Sequence, residues 1–354
     1  MNNKILKIRL AKLSDQKYWD EYVLNHSKGS PYHLFAWKKA VESSYKHPTF
    51  YLMAIKDRKI VGVLPFVNIR ILPFINNMVS LPFCDIGCCL ADNLEIQDFL
   101  IYQAIQLKKS VKAYSLNFRG KLYHNTEMHL QLEELNTGKV RMILDLPDSA
   151  DKLLSSFKSK LRSQVRKAEK NGVTFRWGSL PDMDAAYNVF SRNMRELGSP
   201  VHSKFFLKAV LMNYGDRAKL GLAQFQGKTI GMGIILLGGE GVSIPWASTL
   251  RDYNRLGPNM LLYLNFLQYS ADNGYSFFDF GRSSEGEGTY KFKKQWGAFP
   301  KPLVWYEYIG NGKDENKPSS TDSRKREIAA AIWQKLPLGV ANTIGPHIRK
   351  YISL

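Results

Sequence analysis

The stretch that decides the fold is residues 228–281, KTIGMGIILLGGEGVSIPWASTLRDYNRLGPNMLLYLNFLQYSADNGYSFFDFG. Its first run, 228–239, follows the turn Gln226-Gly227 and is β-rich, so it predicts a hairpin with the apolar run before that turn. A third strand at 241–249, a helix at 257–272 and a strand at 276–281 come next. This order predicts an α/β unit built on a mixed sheet.

Each half of the chain gives one order, helix, helix, hairpin, strand, helix and strand, and the stretch 228–281 completes it in the second half. Further elements of the second half are predicted at 149–170 (helix-like), 173–177 (strand), 181–197 and 203–213 (helices). The first half is predicted to contain a strand at 4–11, two helix-like stretches, a hairpin at 50–55 and 59–69, a strand at 78–82, a helix at 94–109 and an extended run at 112–118. We therefore predict a duplicated α/β (α+β) unit. The expected domains are 1–148 and 149–310, the second carrying the motifs described below.

Residues 311–354 differ from both halves. The segment 311–327 is polar, has no apolar run and is predicted to be a linker. After it, apolar residues recur at helical spacing, interrupted by Pro337 and Pro346. Two interpretations stay open for this tail: two short helices packed on the body, or a basic amphipathic segment that contacts a membrane or a partner.

Charge favours anionic partners. The 354 residues include 50 lysines and arginines against 31 acids, a net charge of +19. Cys84, Cys88 and Cys89 have no paired CxxC spacing and no nearby histidines, which supports neither a zinc site nor disulfides. Lys7 and Arg9 interrupt any signal-peptide core, and no apolar run approaches the ~20 residues of a membrane span. We expect a cytoplasmic protein, with the inner face of the membrane as a further possible location.

A basic helix is predicted at 158–173, KSKLRSQVRKAEKNGV. Leu161, Val165 and Ala168 share one face, while the cations, Arg162 and Arg166 among them, occupy the others. The positive side chains of such a helix repel one another, so the helix favours an anionic ligand such as phosphate. A solvated charged face is the alternative.

A glycine-rich segment follows the acid Asp279. Gly281, Gly286 and Gly288 allow close backbone approach to a ligand, and Arg282 can form a fork onto a carboxylate or phosphate. The spacing matches neither GxxxxGK[ST] nor GxGxxG, so no nucleotide-binding fingerprint is present in this segment. By spacing alone, a flexible loop between a strand and a helix is favoured.

Several segments together resemble the FemAB-like branch of acyltransferases, and in particular the FemAB-related proteins of exosortase (XrtA, PEP-CTERM) systems. They are LRSQVRKAEKNGV (161–173), LGSPVH (197–202), PWASTLRDYNRLGPNMLLY (245–263), FDFGRSSEGEGTYKFKKQWGA (278–298) and the tail WQKLPLGVANTIGPHI (333–348). The resemblance implies two tandem domains of the acetyltransferase (GNAT) type. It also implies transfer of an aminoacyl or acyl group to an amine of a cell-envelope precursor, either peptidoglycan or exopolysaccharide, without a metal.

The same resemblance implies which residues bind substrate. The family's glycine-rich segment and aromatic-Phe-Lys run are matched by Gly288, Tyr290, Phe292 and Lys293, the lysine contacting substrate phosphate or the RNA end. Arg282, with Ser283 beside it, would flank the same groove. We expect the side chains of Arg282 and Lys293 to project from a loop toward solvent.

Four further residues are candidates for roles in the reaction. Asp279 can hold or deprotonate the attacking amine, or it can cap the following loop through backbone N–H groups. Arg251 and Asn259 flank a strand-to-helix junction, where they can bind substrate or cap the helix. His202 is a candidate polar contact in the groove.

Two alternatives stay open for the acyl donor, and a non-enzymatic alternative stays open for the function. The donor is either aminoacyl-tRNA or acyl-CoA, used as a co-substrate and not as a bound cofactor. The expected partner is an anionic nucleotide- or lipid-linked precursor, with charged tRNA as a further one. A chain that only binds RNA or assists envelope assembly, without catalysis, is the alternative from another class.

Overall fold

The structure is a computed structural model that describes residues 6–72, 75–122, 131–309 and 323–353. These residues form two compact units. Of the described residues, unit 1 takes those up to 139 together with 302–309 and 351–353, and unit 2 takes 140–301 and 323–350. Both units are discontinuous in sequence, whereas the sequence suggested the continuous ranges 1–148 and 149–310.

Unit 1 contains one sheet with helices packed against it. Its elements are β1 (Lys7–Leu10), α1 (Gln16–Asn25), α2 (Phe35–Tyr45), β2 (Thr49–Lys56), β3 (Lys59–Leu72), β4 (Ile75–Val79), β5 (Leu90–Ala91), α3 (Leu94–Ser110) and β6 (Ser115–Arg119). The sheet order is β1-β2-β3-β4-β6, with β4 and β6 parallel and the other neighbours antiparallel. The late strand β13 (Phe299–Tyr308) pairs with β6 through Trp305–Glu307, which brings residues from 302 onward into this unit.

The predicted hairpin of unit 1 is confirmed, and its turn has a physical cause. Asp57 and Arg58 adopt φ of 52° and 64°, the left-handed conformations of a two-residue turn that matches the twist of paired strands. The strands it joins place Leu64 and Phe66 in a core that Leu100 of α3 and Phe118 of β6 complete. All four side chains are fully buried.

Unit 2 repeats this order. Its elements are the end of β7 (Leu132–Asp145), α4 (Ala150–Ser156), α5 (Ser159–Lys170), β8 (Val173–Gly178), α6 (Met183–Glu196), α7 (Lys204–Tyr214), β9 (Ala218–Phe225), β10 (Lys228–Leu237), β11 (Gly241–Thr249), α8 (Pro258–Asp272), β12 (Phe277–Ser283), α9 (Gly288–Gln295), α10 (Ser323–Lys335) and α11 (Leu338–Arg349). The sheet order is β7-β12-β11-β10-β9-β8, with β11 and β12 parallel. The predicted duplication of helix, helix, hairpin, strand, helix and strand is confirmed in both units.

The core of unit 2 forms where α8 lies on the sheet. Pro258 occupies the first turn of the helix, and Gly257 before it has φ of 85°. The buried ring of Phe266 packs directly on the backbone of Gly221 and Gly233, where an added Cβ would lie 2.4 and 2.6 Å from ring atoms. Only glycine permits this close approach of helix and strands, so α8 is fixed in place over β9 and β10.

The tail differs in part from its prediction. Helix α10 begins at Ser323, inside the predicted linker 311–327, and residues 311–322 lie outside the described part. Pro337 separates the two tail helices as expected, but Pro346 lies within α11, so the prediction of a break at that proline is wrong. Both helices pack against α6, and just past its end an added Cβ at Gly198 would lie 2.7 Å from Ala330 of α10. Among the helices that the structure describes, none is long and apolar enough to cross a membrane.

Candidate functional site

The sheet of unit 2 opens between β11 and β12. These parallel strands pair only through Gly241–Ser243 and Phe277–Asp279, although β11 continues to Thr249. Pro245 lies just past the divergence, beside a register shift in the pairing of β11 with β10. Proline has no N–H for a ladder bond and is otherwise excluded from central strands. Residues 244–249 of β11 therefore have no ladder pairing with β12, and the two strands diverge there.

Asp279 lies inside β12, at the point of divergence, and not at a strand end. Its side chain is buried, and its Oδ2 accepts hydrogen bonds from Arg141 Nη2 at 2.6 Å and Nε at 3.1 Å. Its Oδ1 accepts from the backbone N–H of Gly281 at 2.9 Å. This geometry favours the capping interpretation of Asp279. Its catalytic role stays a prediction.

A β-bulge follows Asp279 in β12. Asp279 pairs with Ile143 of β7, but Arg282 pairs with Arg141, so the strand holds one extra residue between these pairs. Gly281 supplies the left-handed backbone of the bulge with φ of 73°. The segment DFGR is thus a bulged strand, and the loop between strand and helix begins only after Ser283.

The expectation that Lys293 projects from a loop toward solvent is wrong, and its contact with substrate stays a prediction. Lys293 lies in α9 and is only 8% exposed, because its side chain points back to β12. Its Nζ donates to the carbonyl oxygen of Arg282 at 2.7 Å and to that of Gly281 at 3.1 Å. The ammonium group thereby satisfies carbonyls of the bulge. A structural role at the bulge replaces the solvent-facing position that we expected.

Of the two aromatic residues predicted to bind substrate, Phe292 packs against a buried aromatic cluster and Tyr290 does not. Phe292 of α9 packs on Tyr263 of α8 and on Trp296, with ring centroids 5.0 and 6.2 Å apart. Tyr263 stacks on Phe280 of β12 at 5.4 Å, and burial raises the pKa of its hydroxyl. Tyr290 is half-buried, and the Lys294 ammonium lies 5.8 Å from its ring. The cluster connects α8 and α9 to the opening of the sheet.

The sequence analysis missed a lysine-lined cavity beside this cluster. The cavity has a volume of about 510 Å³ and lies between the start of α5 and α9. Its lining includes the lysines Lys158, Lys160, Lys291 and Lys294, with Phe157 and Trp296 as aromatic side chains. The sequence predicted an anionic ligand for the helix at 158–173, but it did not place the lysine-rich run of α9, about 130 positions away, beside that helix.

None of the eleven predicted binding residues belongs to that lining. Arg162 and Arg166 are exposed on α5, whose buried face carries Leu161, Val165 and Ala168 as predicted. Arg251 is exposed at the start of a 3₁₀ helix, Arg251–Leu256, and Asn259 is the half-buried second residue of α8. The latter two therefore flank the predicted strand-to-helix junction.

His202 is placed in an aromatic core instead of an open groove. The residue is buried, and its ring packs against Phe206 at 5.1 Å and Trp246 at 5.8 Å. Burial, reinforced by the positive charge of Arg349, holds the pKa of His202 well below its usual value. The imidazole is therefore neutral near pH 7.

Three predicted residues lie at the end of β12 and the start of α9. Arg282 is exposed, while Ser283 is buried and its Oγ has no hydrogen-bond partner among the residues that the structure describes. Gly288 begins α9 with open space around its Cα, so backbone geometry does not require glycine there. Substrate binding by these residues stays a prediction.

The cysteines are packing residues in unit 1. Cys84 and Cys88 are buried, and burial raises the pKa of the Cys88 thiol to about 12. Within the described ranges, no group of three or more His, Cys, Asp and Glu side chains is arranged to hold a metal ion.

The comparisons with known proteins agree with this architecture. Residues 155–294 match the family model described as "Acetyltransferase (GNAT) domain". That match covers α5 to α9 almost completely, and it confirms the prediction of an acyl- or aminoacyltransferase. A search of curated proteins by sequence found no match.

Solved structures share the fold at low sequence identity. FemX has 15% identity and a TM-score of 0.70, with 86% of this chain and 98% of FemX covered. L-PGS from Bacillus licheniformis has 12% identity and a TM-score of 0.55, covering 92% and 98%. A tandem GNAT protein from the clavulanic acid pathway has 11% identity and a TM-score of 0.53, covering 87% and 100%. The predicted tandem GNAT-like fold is confirmed.

Proposed function

We propose that this chain is a Fem-like transferase that forms an amide bond between an acyl or aminoacyl group and an amine of a cell-envelope precursor. The observation that carries the proposal is the opening between β11 and β12 in the unit that matches the GNAT domain. The resemblance of the sequence motifs supports the peptidoglycan or exopolysaccharide acceptor and the exosortase-associated branch.

The geometry suits acyl transfer without a protein nucleophile. An amine attacks the carbonyl of an ester or thioester directly, so the protein must align the two reactants and stabilise the oxyanion that develops. We propose that backbone N–H groups of 244–249 on the side that β12 does not pair donate to that oxygen; Pro245 has no N–H to contribute. Collapse of the tetrahedral species forms the amide and releases the alcohol or thiol of the donor.

The donor is the first question for experiment. We favour aminoacyl-tRNA, as in the Fem resemblance, and acyl-CoA is the second candidate because the GNAT domain matches. Thermal shift of the full chain with CoA, with charged tRNA and with a UDP-linked precursor separates them. Stabilisation by charged tRNA and by the precursor supports aminoacyl-tRNA as the donor, whereas stabilisation by CoA alone makes acyl-CoA the favoured donor.

We also propose that the tail helices contact an anionic membrane surface, where a lipid-linked precursor would reside. Ile328 and Ile332 of α10 are 54% and 60% exposed, and Val340, Ile344 and Ile348 share an exposed stripe of α11. The sequence 323–354 carries six basic residues and one acid. An apolar stripe with basic flanks is typical of helices that lie in a membrane interface.

Vesicle sedimentation tests this contact. The chain should sediment with vesicles that contain anionic lipid more than with neutral ones, and the double variant Ile328→Gln, Ile332→Gln should sediment less. Leu13→Gln, at an exposed leucine of unit 1, is the matched control. Equal sedimentation of the double variant and the control would exclude the tail as the contact.

A further inference from the structure

The lysine-lined cavity of unit 2 is strongly cationic. Its four lysines come from two segments, Lys158 and Lys160 at the start of α5, and Lys291 and Lys294 on α9. No acidic side chain is part of the lining. All four lysines are exposed, and none forms an ion pair with an acid in the described part of the chain.

Such a cluster raises the electrostatic energy of the empty site. Like charges around one cavity repel, and a bound anion converts this repulsion into attraction. The N-terminus of α5, the positive end of its helix dipole, borders the same space and adds to the field. The cavity therefore favours a ligand with more than one negative charge.

A series of packed rings connects the wall of the cavity to the opening of the sheet. Phe157, in the lining, packs edge-on against Trp296 at 5.4 Å. Trp296 lies 6.3 Å from Tyr263, which stacks on Phe280 at 5.4 Å. Phe280 directly follows Asp279, where β11 and β12 separate. The cavity and the opening are therefore coupled through packed side chains of one unit.

We propose that this cavity binds the diphosphate of a substrate. A diphosphate offers enough oxygens for lysines from both segments, whereas one carboxylate does not. The volume of about 510 Å³ exceeds that of one phosphate and lies in the usual range for small-molecule sites. The role of this ligand as a transfer substrate rests on the proposed function. The binding of diphosphate to the cavity does not depend on that function.

Isothermal titration of the full chain with inorganic pyrophosphate tests the site without an activity assay. We expect saturable binding that weakens with added salt. The variants Lys158→Gln, Lys160→Gln and Lys291→Gln, Lys294→Gln should each weaken binding about tenfold, as expected for two lost contacts between surface charges. The control Lys17→Gln, Lys109→Gln removes the same charge from exposed helix positions of unit 1 and should change binding less than about twofold.

Competition identifies the source of the diphosphate. CoA that displaces pyrophosphate assigns the cavity to an acyl donor, and UDP that displaces it assigns the cavity to a nucleotide-linked acceptor. Absence of pyrophosphate binding, or equal weakening by the control, overturns the site. Transfer activity that persists in both cavity variants at wild-type KM would overturn its substrate role and leave the proposed function intact. If the wild-type chain binds pyrophosphate but transfers no group, the proposed function is refuted and the diphosphate site is retained.

Discussion

Lys293 provides a sharp test of the structure, because its sequence motif and its position predict opposite results. The motif predicts a solvent-facing lysine whose loss weakens binding and leaves folding intact. The structure predicts a loss of stability, since the ammonium group donates to two carbonyls of the β12 bulge and is 8% exposed. We use Lys293→Met, which keeps most of the packing volume and removes both hydrogen bonds.

The size of the effect follows from these contacts. Hydrogen bonds to a charged group contribute about 1.5–3 kcal/mol each, and removal of the buried charge offsets part of this loss. We therefore expect Lys293→Met to lower the free energy of unfolding by about 2–4 kcal/mol. In a unit of this size, about 2–4 °C of melting temperature corresponds to each kcal/mol, which gives a decrease of about 5–15 °C.

Differential scanning calorimetry and urea unfolding measure this decrease. Lys294→Met is the matched control, because the neighbouring lysine is exposed on the same helix. We expect its melting temperature to remain within about 2 °C of wild type. A Lys293→Met protein as stable as this control would refute the role of the lysine at the bulge.

Three further predictions test the buried polar groups. Asp279→Asn should lower the free energy of unfolding by about 2–4 kcal/mol, because Arg141 loses its carboxylate partner, and an unchanged urea midpoint would contradict this. His33, whose burial lowers its pKa to about 4, and His202, whose pKa also lies below normal, bind protons more weakly when folded than the ~6.5 of free histidine. The unfolded chain therefore binds more protons than the folded chain below that pH. As the pH falls, the free energy of unfolding should decrease by up to about 1.4 kcal/mol per pH unit for each histidine. A plot of the free energy of unfolding against pH should have a shallower slope in His202→Gln. Cys88, with a pKa raised to about 12, should react with a disulfide reagent far more slowly in native protein than in urea, and equal rates would contradict its burial.

Local patterns predicted the order of elements well. The hairpin around Asp57 and Arg58 and the helix that begins at Pro258 depend on nearby residues, and both formed where predicted. The pairing of β13 with β6 joins residues almost 200 positions apart, and no local pattern encodes it. The predicted domain ranges could not anticipate this return of the chain.

The candidate site was predicted less well, because its geometry depends on distant segments. The bulge in β12 is defined by the register of its pairing with β7. It places the backbone carbonyls where Lys293 donates hydrogen bonds to them. One local signal was available: in a helix, Lys293 and Trp296 are three positions apart and share the buried face. The lysine-lined cavity needed the juxtaposition of α5 and α9, which spacing within either run does not reveal.

The central claim is that unit 2 transfers an acyl or aminoacyl group to an amine. The most direct measurement incubates the full chain with a UDP-linked peptide precursor and either isotope-labelled aminoacyl-tRNA or acyl-CoA, and follows the acceptor by mass spectrometry. We predict an acceptor heavier by one labelled aminoacyl or acyl group, linked as an amide, and formed faster than without protein. An acceptor mass that stays unchanged with both donors, while thermal shift shows that donor and acceptor bind, would contradict the claim.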